Sequence, residues 1–301
     1  MRSATRASLE SAGLEAADVE RVVRQAFSED VGGDGEDLTS LATVPAESRS
    51  QGDFVVRGTG LIAGLPVLAA TLELGLGNDA EYELLARDGE PVARGAIVAT
   101  VSASTRALLQ TERVALNLLC RLSGIATATH AWVEALAGTG ARVRDTRKTT
   151  PGLRLLEKYA VRCGGGLNHR AGLHDAVLVK DNHVLAAGGV GRALDAVHAR
   201  LAGRQVVVQT EIDRLDQLDE ALAHGATQIL LDNMTLDDMR AAVARTRLQA
   251  PGVLLEASGG LTLERARAVG ETGVDLVAVG AITHSAGILD IALDLRTPPM
   301  P

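Results

Sequence analysis

Aromatic residues are nearly missing: Phe, Tyr and Trp make up 2% of 301 residues, so a core has to be built from Leu, Val, Ile and Ala. With so few stacking platforms and a formal net charge of −8, the chain lacks what a nucleic-acid surface needs. Cysteine is just as scarce. Cys120 and Cys163 form neither a CxxC motif nor a disulfide framework, which fits a reducing, cytoplasmic setting. The N-terminal MRSATRASLESAGLE has no apolar stretch of the secretory kind, and no apolar run reaches bilayer length, so no membrane partner is expected. HxxxH spacing, an EF-hand loop and a thiol cluster are also lacking, so no fixed protein-chelated metal is expected. Only 8 prolines beside 46% hydrophobic residues argue for a globular fold over disorder, in one large domain or two ordinary ones.

The pattern of what is present changes part-way along the chain. Residues 14–30 have the apolar spacing of an amphipathic helix, followed by a loop at Gly32-Gly33-Asp34-Gly35 and a turn into sheet from Thr39 to Pro45. From Gly52 to Val101, short runs rich in Val, Ile and Leu alternate with glycines, a strand-rich segment with a helix near Pro66–Leu74. A long helix is expected over 104–122, capped at Ser104 or Thr105, with a domain boundary in or just after it. Beyond residue 140, apolar strand candidates alternate with helices: Ala141–Asp145, Ala176–Lys180, Val206–Ile212, Gln228–Asp232, Val253–Ala257 and Leu276–Val279. Such βα repetition implies a parallel sheet buried on both faces, and closing it gives a βα barrel, here with six strands instead of eight. The fold class is therefore α/β.

Polar residues stand where a barrel would use them, at the C-terminal ends of the strands. Arg147-Lys148 follow the first, Lys180-Asp181-Asn182 the second, Glu211 ends the third and Asp232-Asn233 the fourth. Ser258-Gly259-Gly260 and Gly280-Ala281 follow the last two. The glycines either let backbone N–H groups approach a phosphate or merely turn strand into helix; the last two strands favour phosphate. Arg147, Lys148, Arg170 and Lys180, around Gly164-Gly165-Gly166 and His169, suit a multiply charged anion, against the alternative of solvated surface cations. A Schiff-base Lys180 is a competing chemistry. Glu211 and Asp232 are open to ribose contacts, to Mg²⁺ on a phosphate substrate, to stabilising a developing cation, or to pairing with the nearby cations. Cys163, with no activating motif beyond Arg162, reads as a buried structural thiol.

Over nearly its whole length the chain resembles the quinolinate phosphoribosyltransferases. The resemblance is carried by GLIAGLPV, TERVALNLLCRLSGIAT, DTRKTTPGLRLLEKYAV, GGGLNHRAGLHDAVLVKDNH, ILLDNM, EASGG and VAVGAITHS. It implies an N-terminal open α/β sandwich domain over 1–118, possibly joined by the C-terminal segment 287–301, and an atypical six-stranded βα barrel over 119–286. It implies phosphoribosyl transfer from phosphoribosyl pyrophosphate to quinolinate, with decarboxylation to nicotinate mononucleotide, on the route to NAD. Mg²⁺ would arrive with the phosphoribosyl pyrophosphate, and no organic cofactor is implied. Catalytic roles fall on Lys148, Glu211 and Asp232. Quinolinate contacts fall on Arg113, Arg147, His169, Arg170 and Lys180, with Thr146 beside them. The 5′-phosphate pocket falls on Ser258, Gly259, Gly260, Val279, Gly280, Ala281 and His284. A homodimer is implied, Arg113 entering the partner's site, with a higher oligomer left open. One departure stands inside a motif: VQTEI carries Gln209 where the family usually has a second glutamate. A molybdenum-transport-associated paralogue and a non-catalytic anion-binding regulator remain as alternative readings.

Overall fold

The computed structural model describes residues 1–32, 35–77 and 80–296; Gly33 and Asp34 of the early loop, and 297–301 of the C-terminal segment, lie outside the described residues. The chain divides into two compact units. The first takes Met1–His130, Thr149–Gly165 and the segment from Thr283 onward; the second takes Ala131–Lys148 and Gly166–Ile282.

In the first unit the strands are β1 (Arg49–Val56), β2 (Gly60–Leu61), β3 (Glu81–Leu84), β4 (Pro91–Val92) and β5 (Ile97–Ser104). The main sheet has the order β12-β1-β5-β3, where β12 is Ile291–Arg296, so the end of the chain returns to pair antiparallel with its first strand. Alternation in RSQGDFVV turns Gly52, Phe54 and Val56 inward. Gly52 is required by proximity: a Cβ there would stand 2.8 Å from Leu293 Cδ1 on β12. Phe54 is fully buried among Leu65, Leu68, Leu72, Val98 and Leu119, the aliphatic core that the scarcity of aromatics demands.

Three local readings are corrected. The segment Thr39–Pro45 is not a turn into sheet, because Asp37 accepts the Thr39 and Ser40 N–H groups and caps a short helix, Leu38–Thr43. A helix over Ser3–Ser11 precedes the expected one, which is found at Ala16–Val31. The long helix runs Thr105–Ala135, not 104–122. The Ser, Gly and Thr residues after Leu122 resemble a helix end, but Thr127 and Thr129 bond back to the carbonyls of Ser123 and Ile125. Gly124 is small because a Cβ would stand 2.0 Å from the Gly287 carbonyl oxygen.

The second unit holds six parallel strands: β6 (Arg142–Arg144), β7 (Val177–Val179), β8 (Val208–Ile212), β9 (Gln228–Asp232), β10 (Leu254–Ser258) and β11 (Leu276–Ala278). Their order, β6-β11-β10-β9-β8-β7, places the first strand beside the last, so the sheet follows the cyclic order of a barrel. At the seam between β6 and β7, Leu167 forms a parallel bridge to Arg144. Helices Val190–Arg200, Leu215–Ala223 and Leu236–Gln249 alternate with the strands as expected, and Asp181–Ala187 adds a short helix directly after β7. Among the described residues no helix is long and apolar enough to cross a membrane.

Candidate active site

A cavity of about 580 Å³ opens within the second unit at the C-terminal ends of the barrel strands. Thr146, Arg147, Lys148, His169, Arg170, Lys180, Glu211, Asp232, Ser258, Gly259 and Gly260 all line it. The residues expected at five of the six strand ends therefore converge on one space, and Gly280-Ala281 after the sixth do not line it.

Each side chain is set by a local cause. After β6, the Lys148 N–H donates to Thr146 Oγ1 at 3.0 Å, which turns the chain between the two basic residues. Fully buried Asp145 accepts the His169 N–H at 2.6 Å and the Asn168 amide at 2.7 Å, fastening the glycine-rich segment to the end of β6. Arg170 donates through Nη1 to the Ala176 carbonyl at 3.1 Å, and its buried Nε has no acceptor. Burial, and then the neighbouring Arg147 guanidinium, lower its pKa from the ordinary arginine value. Lys180 Nζ lies 2.9 Å from Glu211 Oε2.

The glycine turn after β10 is built against Asn233. That residue has φ +54°, its N–H donates to the Ser258 carbonyl at 3.0 Å, and its amide bonds Asp232 at 2.7 Å. Gly259 has φ +91°, and a Cβ there would meet Asn233 Oδ1 at 2.3 Å. Both backbone shape and space exclude a side chain.

Asn233, expected beside Asp232, also lines the cavity, and four lining residues were not expected: Glu256, Leu178, Leu230 and Ala278. Glu256 is 1% exposed and accepts from Arg144 Nη1 at 2.8 Å; burial raises its pKa, against the lowering effect of Arg144. The pleat offered a signal for these. Glu256, Leu230 and Leu178 each stand two residues before a chosen strand-end residue, Ser258, Asp232 and Lys180, and so share its face.

Other expected residues lie elsewhere. Arg113 lines a separate cavity in the first unit, with Gln25, Asn117 and Thr150. Val279, Gly280, Ala281 and His284 do not line the barrel cavity; His284 Nδ1 bonds Ser285 Oγ at 2.6 Å. Cys163 is half-buried, and burial pushes its thiol up to about 11, which suits an inert residue. Among the described residues no group of three or more His, Cys, Asp and Glu side chains is placed to hold a metal ion.

Two family models together match most of the chain. Residues 37–123 match "Quinolinate phosphoribosyl transferase, N-terminal domain" and residues 125–294 match "Quinolinate phosphoribosyl transferase, C-terminal domain". The chain belongs to the quinolinate phosphoribosyltransferase family. It is 51% identical over 275 residues to the nicotinate-nucleotide pyrophosphorylase [carboxylating] of Mycobacterium leprae, covering 91% of this chain and 95% of that protein. It superimposes on the crystal structure of NadC from Streptococcus pyogenes with a TM-score of 0.88 at 36% identity, over 94% of this chain and 98% of that one. For the nicotinate-nucleotide pyrophosphorylase of Francisella tularensis the values are 0.86 and 32%, over 94% and 98%. The family and the α/β fold read from the sequence, sandwich domain plus atypical barrel, are borne out by these matches.

Proposed function

We propose that this protein transfers the phosphoribosyl group of phosphoribosyl pyrophosphate to the ring nitrogen of quinolinate, releasing pyrophosphate and CO₂ and forming nicotinate mononucleotide for NAD biosynthesis. The observation that carries this reading is the charge pattern of the barrel cavity. Four cations, Arg147, Lys148, Arg170 and Lys180, face one space with the carboxylates Glu211 and Asp232, beside a glycine turn. A dianionic pyridine suits the cations, and a phosphorylated sugar that gains positive charge suits the carboxylates. The M. leprae relative carries the name of this activity.

The reaction asks little covalent chemistry of the protein. The bond from ribose C1′ to pyrophosphate breaks as C1′ joins the pyridine nitrogen, and the pyrophosphate leaves with the bonding electrons. The ring is then a pyridinium, so the electron pair of the departing carboxyl group is stabilised by the adjacent charged nitrogen. A proton takes the place of CO₂. Arg147, Arg170 and Lys180 hold the carboxylates, Lys148 lies against the leaving pyrophosphate, and Glu211 and Asp232 stabilise the cationic sugar. Ser258, Gly259 and Gly260 receive the 5′-phosphate, with Val279, Gly280, Ala281 and His284 assigned to the same end. Mg²⁺ is carried in with the pyrophosphate; a donor set of two carboxylates fits an ion that keeps its waters and phosphate oxygens. The working unit is a homodimer in which Arg113 enters the partner's site.

Incubation with quinolinate, phosphoribosyl pyrophosphate and Mg²⁺ should form nicotinate mononucleotide and pyrophosphate in equal amounts. Folded protein that releases no pyrophosphate in response to quinolinate would overturn the assignment.

A further inference from the structure

The segment that carries His169 and Arg170 is joined to the barrel at the seam between β6 and β7. The Leu167 N–H donates to the Val143 carbonyl at 2.9 Å, and the Leu167 carbonyl accepts the Asp145 N–H at 2.9 Å, the two bonds of a parallel bridge. From Asn168 onward side chains take over. Arg144 Nε donates to the Asn168 carbonyl at 3.2 Å, while Asp145 accepts the His169 N–H at 2.6 Å. Farther along, Asp175 accepts the Ala171 and Gly172 N–H groups at 2.6 and 3.0 Å. A cation on a carbonyl and carboxylates on N–H groups thus give an irregular loop the polar partners that a strand would supply.

Arg144 is fixed in turn by a partner on a strand that its own does not adjoin. Its Nη1 meets Glu256 Oε2 at 2.8 Å, although β11 stands between β6 and β10 in the sheet. Ala278, the β11 residue in register with Arg144, has only a methyl group for the long side chain to pass. The two charged side chains are 15% and 1% exposed. A buried ion pair is weak support for stability, because desolvating two charges offsets most of their attraction and apolar residues of similar volume do as well or better. The raised pKa of Glu256, caused first by burial and opposed by Arg144, shows the same unfavourable balance. What an apolar pair could not do is hold the Asn168 carbonyl. The fork of a guanidinium serves a carboxylate through Nη1 and a carbonyl through Nε at once.

We propose that Arg144 and Glu256 form a positioning pair for the dianionic substrate. Glu256 orients the guanidinium, Arg144 fixes the Asn168 carbonyl, and the adjoining His169 and Arg170 are thereby held at the spacing of the two substrate carboxylates. Neither member of the pair needs to touch the substrate. The proposal rests on the quinolinate reading for the identity of that dianion. The contacts of phosphoribosyl pyrophosphate are assigned to other residues, so loss of the pair should show in one substrate and not in the other.

Arg144→Met combined with Glu256→Met removes both charges together and should unfold at about the wild-type temperature. Its KM for quinolinate should rise about tenfold or more, with the KM for phosphoribosyl pyrophosphate within about twofold of wild type. Arg144→Lys keeps a charge opposite Glu256 but lacks the fork that also reaches the Asn168 carbonyl, and should raise the quinolinate KM about threefold or more. An unchanged quinolinate KM in the double variant, or in Arg144→Lys where only that variant folds, overturns the proposal. So does an equal loss for both substrates, which is what a merely structural pair would give. Amide hydrogen exchange without any substrate is the independent arm. Residues 168–172 should exchange faster in the folded variant while β8 and β9 stay as protected as in the wild type, and unaltered protection of 168–172 overturns the proposal. Because exchange needs no turnover, failure here is separable from failure of the wild type to use quinolinate.

Discussion

Lys180 Nζ donates to Glu211 Oε2 across 2.9 Å, joining the ends of the adjacent parallel strands β7 and β8. The two groups are assigned to different substrates, the lysine to a quinolinate carboxylate and the glutamate to the cationic sugar. In the free site each offsets the other.

Replacing Glu211 by Gln should therefore split the kinetic constants. Freed from its partner, Lys180 should lower the KM for quinolinate two- to tenfold, while kcat falls by roughly 10²–10³ as the sugar loses a stabilising carboxylate. Lys180 is 47% exposed, so stability should change by less than about 1 kcal/mol. Steady-state rates at saturating phosphoribosyl pyrophosphate, with a melting curve beside them, check both. A fall in kcat accompanied by a higher KM would reject the offset.

Quinolinate should be preferred over nicotinate by at least ~100-fold in kcat/KM. Nicotinate brings one carboxylate where quinolinate brings two, and leaving a desolvated cation without its partner costs about 2–5 kcal/mol. Arg170 is the group most exposed to this cost, since its buried Nε has no acceptor in the protein. Competing-substrate rates measure the ratio, and comparable turnover of nicotinate would contradict it.

Arg121→Ala should destabilise the first unit by about 3–5 kcal/mol. Glu157 is completely buried, and Arg121 Nη2 meets its Oε1 at 2.8 Å while the same guanidinium also bonds the carbonyls of Thr283 and Ala286. Removing the arginine strands a buried carboxylate. Arg121→Met with Glu157→Met should recover most of the loss, because the pair then disappears together. Denaturant unfolding of the single and double variants would show an additive loss if the argument is wrong.

Arg113→Ala and Lys180→Ala should each be nearly inactive alone. If Arg113 serves the partner's site, a mixed dimer has one site with both lesions and one with neither. Equal random mixing makes half the dimers mixed, so about a quarter of wild-type activity should return after co-refolding. A mixture verified to contain mixed dimers and still inactive would place Arg113 in its own subunit's chemistry, or in none.

The barrel is legible because short strand candidates alternate with helices and all but the last end in, or lead directly into, a polar residue; β9 coincides with the expected Gln228–Asp232 to the residue. What escapes a linear reading is stabilised at a distance. Glu256 looks like an interruption of an apolar run because its partner, Arg144, stands 112 residues away. The short helix Leu38–Thr43 depends on the Asp37 cap, whose value is invisible in a Thr- and Ser-rich stretch that suits a turn equally well. The continuation of the long helix past Leu122 depends on back-bonded threonines and on a glycine chosen for a neighbouring backbone. The cations of the cavity are visible as a cluster, but that His169 turns inward to Gln209 follows from the register of β8 and not from spacing.

The pairing of β12 with β1 also has a consequence for synthesis. Translation delivers β1 early and β12 some 235 residues later, as the register Val56↔Ile291 records. Until Ile291–Arg296 leave the ribosome, β1 has only β5 beside it and presents an open hydrogen-bonding edge. Every strand of the barrel, by contrast, has been made by Ala278. Completion of the first sheet therefore waits for one of the last segments to emerge, and in the interval the nascent chain carries an edge able to pair with another chain.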